Sequence, residues 1–192
     1  MAGKLSGRRI AILATDGVEE VELTQPRDAV TAEGAQVDLI SLEEGELQAM
    51  NHDIEPASKI AVDVTVAQAS ASDYDALIMP GGTVNGDKLR VDPDVQSFVR
   101  EIFRAGKPVG VICHGPWTLI DAGVVDGRTL TSWPSLETDL RNAGAKVVDE
   151  EVVTDEGLVS SRNPGDLDAF CAKIVEEFAE GTHPVHDEGA TA

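Results

Sequence analysis

Short apolar runs rich in valine and isoleucine alternate along this chain with segments whose apolar residues recur every three or four positions. That alternation predicts a parallel sheet covered by helices. Residues 9–15 (RIAILAT) read as the first strand, and their unbroken apolar run predicts burial on both faces. Asp16-Gly17 marks a turn into 18–23 and a helix near 26–33 closed by Gly34. Pro26 suits the first turn of that helix, where its missing N–H is not needed. Residues 36–42 (QVDLISL) form the second predicted strand, 43–58 a polar loop and 60–66 a short edge strand.

Further on, 74–79 (YDALIM) runs as a strand into Pro80-Gly81-Gly82. Residues 93–105 form an amphipathic helix with Val95, Phe98, Val99 and Ile102 at helical spacing and Gly106 as its stop. A doubly buried strand, 108–113 (PVGVIC), leads directly into His114-Gly115-Pro116 and a helix over 117–122. A strand over 129–133 and a helix over 136–142 follow, the latter ended by Gly144. Residues 146–154 and 158–161 face each other across Asp155-Glu156-Gly157 as a hairpin-like pair. Asp166 is expected to cap a last helix running to Phe178, with Leu167, Phe170, Cys171, Ile174, Val175 and Phe178 on its buried side. There is neither internal repeat nor linker, so residues 1–180 are expected to be one α/β domain and 181–192 a flexible acidic tail.

Composition narrows the partners. The chain has 192 residues, 42% of them hydrophobic, which suffices for one substantial core. Fifteen Lys+Arg against 35 Asp+Glu give a net charge of −20. Such a surface is repelled by phosphate backbones and by anionic membranes, which excludes nucleic acid and membrane as expected partners. No apolar run approaches the roughly 18 residues of a membrane span, and the one after Arg9 meets Asp16 too soon for a signal peptide. A cytoplasmic protein is expected. Two cysteines make no disulfide framework, and four histidines without paired-cysteine spacing predict no metal site. His183 and His186 in the expected tail (HPVHDE) offer at most adventitious metal binding.

In an open α/β sheet, reactive groups gather beyond the carboxyl ends of the strands. Three predicted strands deliver unusual residues there: Glu19, Glu20 and Glu22 after 9–15, Gly81-Gly82 after 74–79, and Cys113-His114-Gly115 at the end of 108–113. A strand that stops at a nucleophile and turns at once into a helix is a nucleophile elbow. This one has Gly115 two residues after the cysteine but lacks the motif's glycine two residues before it, the stretch leading in being Val111-Ile112. The sulfur would face the following helix N-terminus, which favours a thiolate. A free cysteine is only about 3% thiolate at pH 7, and lowering its pKa by three units takes about 4 kcal/mol. Surface carboxylates beyond about 8 Å are screened, so nearby donors are expected to outweigh the net charge. His114 serves as a base only if the turn swings both side chains to one side. Gly81 and Gly82 offer backbone N–H groups for an oxyanion beside that of His114. Of the glutamates, at least two should be solvated and one can hold a raised pKa and donate to the sulfur; spacing does not say which.

At these residues the chain resembles the PfpI family, within the class I glutamine amidotransferase-like superfamily that also contains the DJ proteins. The resemblance spans about residues 8–178 and rests on DGVEEVELTQPRDAV, DYDALIMPGG, GKPVGVICHGPWTLIDAGV, GRTLTSWP and LVSSRNPGDL. It implies a flavodoxin-like three-layer sandwich, mostly parallel, with a nucleophile elbow. It places the nucleophile at Cys113, the histidine at His114, the sulfur-bonded glutamate at Glu22 and the oxyanion donors at the backbones of Gly82 and His114. Gly81 and Gly115 flank those donors. In family members described as proteases a neighbouring subunit supplies an acid to the histidine; here that position is Asp87. Aspartate is one methylene shorter than glutamate, and the loop before it (83–86) is one residue longer than in the family. Trp133 stands where many relatives have tyrosine, which reshapes the pocket.

The resemblance implies three activities for one site, none needing a cofactor. The first acts on reactive dicarbonyls such as methylglyoxal, or on their protein adducts, through a hemithioacetal at Cys113. The second is a cysteine peptidase. The third is a redox-responsive or chaperone-like role in which Cys113 oxidises to a sulfinic acid beside Glu22. A small site shared at a subunit interface favours the first, because a peptidase needs an open cleft. The resemblance also implies a homodimer or a hexamer.

Overall fold

A computed structural model of the chain describes residues 3–183. Its centre is a seven-stranded sheet in the order β10-β11-β7-β6-β1-β2-β5. These strands are β1 (Arg9–Leu13), β2 (Gln36–Ser41), β5 (Val64–Thr65), β6 (Ala76–Met79), β7 (Val109–Ile112), β10 (Val152–Asp155) and β11 (Leu158–Ser161). All neighbours pair in parallel except β10 and β11, which are antiparallel.

The alternating side chains of the central strands build two cores. Ile10, Ile12, Ile78, Ile112 and Val159 point towards α1 (Glu20–Ala32) and α6 (Leu167–Glu180), meeting Leu23, Val30, Phe170, Ile174 and Phe178. Ala11, Leu13, Leu77, Met79, Val109 and Val111 point the other way, towards α3 (Pro93–Arg104) and α4 (Pro116–Ala122). The sheet is thus the middle of three layers, which is why its central strands β1, β6 and β7 have no polar residue in their interiors. Helix α3 buries Val95, Phe98, Val99 and Ile102, each contributing roughly 1.5–3 kcal/mol. Asp92 caps it, its carboxylate accepting the N–H groups of Asp94 and Val95 at 2.9 and 3.0 Å.

Several segments depart from the sequence expectation. The polar stretch 43–58 is no loop: β3 (Glu46–Asn51) and β4 (Glu55–Ala61) form an antiparallel hairpin outside the main sheet. Only Leu47 and Ala49 of β3 are buried and β4 is largely exposed, so the hairpin has little apolar periodicity to betray it. Helix α1 begins at Glu20, placing Pro26 in its interior rather than its first turn. The proline gives up one helical hydrogen bond, to the Glu22 carbonyl, and buries its ring. Residues 83–86, expected as loop, form the first turn of α2 (Thr83–Arg90). The strand expected over 129–133 shrinks to β8 (Thr129–Leu130), which pairs with β9 (Lys146–Val147) in a separate two-stranded sheet beside α5 (Glu137–Asn142). Asp166 does precede α6, but its carboxylate does not cap it. Both oxygens go instead to the Arg162 guanidinium at 2.9 Å.

Residues 184–192, most of the expected tail with His186, lie outside the described residues. His183 is anchored, its N–H donating to the Gly106 carbonyl at 2.8 Å.

Candidate active site

The carboxyl ends of β1, β6 and β7 converge on Cys113. Its backbone lies in the left-handed region, φ 61°, which costs a non-glycine residue of order 1–3 kcal/mol and persists only where the surroundings fix it. They do: the Cys113 N–H donates to the Ser161 carbonyl at 3.1 Å, and its carbonyl accepts from Trp133 N–H at 3.0 Å. This turn is what brings consecutive side chains together. The Cys113 Sγ lies 3.2 Å from His114 Nδ1, meeting the condition that adjacency in sequence left open.

Glu22 lies wholly inside, on the first turns of α1. Its Oε2 accepts the Gly81 N–H at 2.8 Å, and its other oxygen is buried with no hydrogen-bond partner. Burial pushes this carboxyl up to about 8, with the charges of Glu19 and Asp53 adding to it; the Gly81 N–H and the thiol pull the other way. At neutral pH Glu22 therefore holds its proton beside the sulfur. Gly81 must be glycine: a Cβ there would stand 2.5 Å from Glu22 Oε2, 2.6 Å from Cys113 Cβ and 2.9 Å from His114 N. Gly82, at φ 93°, would drive a Cβ to 2.2 Å from the Gly17 carbonyl.

The backbone N–H groups of Gly82 and His114 favour the anionic form of the sulfur. The other two glycines have their N–H groups engaged elsewhere, Gly81 on Glu22 and Gly115 on the Ile112 carbonyl at 3.0 Å. The resting thiolate expected from local donors is not what this environment favours. Burial, then the charge of Glu22 when ionised, push the Cys113 thiol up, and outweigh the two N–H groups. His114 is pushed the opposite way, below the usual imidazole range by burial, with Asp53 opposing. A neutral imidazole therefore faces a neutral thiol, a pair in which the nucleophile is generated by proton transfer rather than stored as an anion.

His114 is boxed in by indoles, stacked on Trp133 at 5.6 Å between centroids and tilted on Trp117 at 5.2 Å. Trp133 is partly exposed and roofs the histidine. On its remaining side Nε2 faces the Thr83 hydroxyl at 3.4 Å, and that hydroxyl donates to Asp53 Oδ2 at 3.0 Å. Asp53 Oδ1 also accepts the Thr83 N–H at 2.7 Å, capping α2. Asp53 sits at the tip of the β3–β4 hairpin, and Glu19 fixes that tip by accepting the N–H groups of His52 and Asp53 at 3.1 and 3.2 Å. Glu20 in turn accepts the Ser58 N–H at 3.2 Å. The expectation that two of the three glutamates are merely solvated is thus corrected: one holds the sulfur and two hold the hairpin.

Asp87 is exposed on α2 and lies outside this cluster. Sequence reasoning missed Thr83, Asp53, Glu19 and Asn85. The buried Asn85 amide ties the ends of β1 and β6 together, accepting from Thr15 N–H at 2.8 Å and donating to the Pro80 and Gly81 carbonyls. For Thr83 and Asn85 the visible signal was polar residues directly after Gly82; for Asp53 there was none. Elsewhere, Glu177, Glu180 and His183 bring one ligand atom each within 4.8 Å of one another at the end of α6, none of them in contact with the cysteine site. His183 is close enough to Glu177, 3.3 Å, for an ion pair when protonated.

A parallel α/β sandwich with a buried cysteine on a strained strand-to-helix turn, two N–H donors and a protonated glutamate defines a cysteine-elbow protein. The chain belongs to the DJ-1/PfpI family, whose model matches residues 8–177. It is 40% identical to the putative cysteine protease YraA of Bacillus subtilis over 163 residues, 85% of this chain and 94% of the relative. It is 37% identical to the deglycase PfpI of Pyrococcus furiosus over 168 residues, 88% of this chain and 98% of the relative. Among solved structures, Drosophila melanogaster DJ-1beta superposes with a TM-score of 0.81 at 30% identity, covering 90% of each chain. Among the described residues no helix is long and apolar enough to cross a membrane.

Proposed function

We propose that this protein is a cysteine-dependent enzyme acting on reactive dicarbonyls, or on the early adducts they form with proteins, without a cofactor. The observation that carries this reading is the smallness of the reactive site: Cys113 and His114 are 6% and 4% exposed beneath Trp133. That suits a molecule of a few carbons. The named activity of the Pyrococcus relative, a deglycase, supports the same class.

In the proposed reaction the Cys113 S–H proton passes to His114 Nδ1 as sulfur adds to the aldehyde carbon of methylglyoxal. The former carbonyl oxygen, steadied by the Gly82 and His114 N–H groups, takes that proton to give a hemithioacetal. The neutral His114 then removes the proton on the sulfur-bearing carbon, and a proton that has exchanged with solvent is delivered to the neighbouring carbon. The product is a thioester of lactate. Water hydrolyses it, releasing lactate and the Cys113 thiol, so the net change is methylglyoxal plus water to lactate with no external oxidant. Turnover in D2O tests this route: the proposal expects deuterium at the lactate C2. Retention of the original hydrogen there, or no lactate at all, would overturn it.

A peptidase reading draws on the name of the Bacillus relative. It requires this site to open for an extended chain. Incubation with unfolded casein distinguishes the two, and cleavage abolished by Cys113→Ser would favour the peptidase. Self-association belongs to the proposal as well: Ile54, Val84 and Trp133 are exposed large apolar residues on or beside site elements. Light scattering of the purified protein checks it, with a mass of at least a dimer expected.

A further inference from the structure

A neutral histidine can accept the thiol proton only if its own proton sits on the other ring nitrogen. Resting on the proposed reaction, we infer that Asp53, acting through the Thr83 hydroxyl, is the positioning acid of a Cys113–His114–Thr83–Asp53 relay contained in one chain, and fixes the His114 proton on Nε2.

The donors and acceptors leave one consistent arrangement. A carboxylate only accepts hydrogen bonds. Asp53 takes the Thr83 N–H on one oxygen at 2.7 Å and the Thr83 hydroxyl proton on the other at 3.0 Å. The threonine oxygen then presents only lone pairs to His114 Nε2, 3.4 Å away. A hydrogen bond across that gap requires the proton to be on Nε2. A neutral imidazole carries one N–H, so Nδ1 is left as a bare acceptor, 3.2 Å from the Cys113 sulfur. When the thiol proton arrives there, the charge of Asp53 favours the imidazolium that forms.

The acid is held with unusual rigidity for a hairpin tip. His52 and Asp53 both occupy the left-handed region, φ 54° and 65°, a costly pair of conformations secured by the Glu19 carboxylate on both N–H groups. The other faces of His114 are occupied by Trp117 and Trp133, which offer no acid. The relay gives Asp53, in the same chain, the role that the family resemblance assigned to Asp87 of a neighbouring subunit.

Nitrogen-15 NMR of the histidine-labelled full-length protein at neutral pH reads the tautomer directly. Wild type should show His114 protonated on Nε2. In Asp53→Asn the amide can donate to the Thr83 oxygen, turning the hydroxyl towards Nε2 and moving the histidine proton to Nδ1. Methylglyoxal turnover should then lose on the order of 10²–10⁴-fold in kcat with KM little changed. Thr83→Ser should keep both the tautomer and the rate, and Thr83→Val should lose them, so this pair decides the matter if Asp53→Asn does not fold. An Nδ1-protonated wild type would overturn the relay. So would a tautomer and rate indifferent to both Asp53→Asn and Thr83→Val, or a collapse in Asp87→Asn with Asp53→Asn intact. If wild type makes no lactate the proposed reaction fails, while the tautomer still decides the relay.

Discussion

The environment of Glu22 decides what the sulfur can do, and it has a signature in stability. Its folded pKa of about 8 lies above the ordinary 4.5 because burial disfavours the anion. The folded state therefore binds a proton that the unfolded chain releases between those values. Its contribution is full below pH 4.5 and is lost as pH rises through about 8. Urea denaturation across this range should show Glu22→Gln gaining on wild type as pH rises and levelling off above it. A constant difference would mean that Glu22 is not the group titrating. Glu22→Ala should follow the same pH trend as Glu22→Gln but lie below it by roughly 1–3 kcal/mol at every pH, because it strands the Gly81 N–H. At this scale the sequence exposed Cys113, His114 and the glycine pair by type and spacing. It could not show that burial would raise the thiol, because that depends on atoms brought in from three strand ends.

At the scale of elements, α3 and the β3–β4 hairpin are opposites. Helix α3 announces itself through Val95, Phe98, Val99 and Ile102, and every one of those residues is buried as its spacing says. Phe98→Ala should cost about 3–5 kcal/mol in chemical denaturation. The hairpin announces nothing, since it buries little and is held by backbone N–H groups on Glu19 and Glu20. A sequence pattern records burial, whereas these are long-range polar contacts, which is why 43–58 read as loop. Glu19→Ala should leave the sheet intact and speed hydrogen exchange at His52, Asp53 and Thr83, with the amides of β1 and β7 unchanged. Equal acceleration throughout would show that Glu19 supports the whole fold rather than the tip.

For the whole molecule, the two-layer burial of each central strand explains why the fold class was legible from Val- and Ile-rich runs alone, while the short β8 and β9 were not. The net charge of −20 acts at this scale and not in the site. Self-repulsion among carboxylates weakens as salt shortens the screening length, so added sodium chloride should raise the melting temperature at pH 7 and do much less at acid pH, where carboxylates are protonated. A melting temperature indifferent to salt at pH 7 would contradict this. The site itself, with its donors within a few ångströms, should keep its chemistry across the same salt range. The central claim, that Cys113 is the nucleophile of a dicarbonyl-converting enzyme, is tested most directly by the rate of lactate formation from methylglyoxal in wild type and in folded Cys113→Ser. Steady turnover in wild type and a loss on the order of 10³-fold or more in the variant are predicted. Equal rates in the two proteins would contradict it.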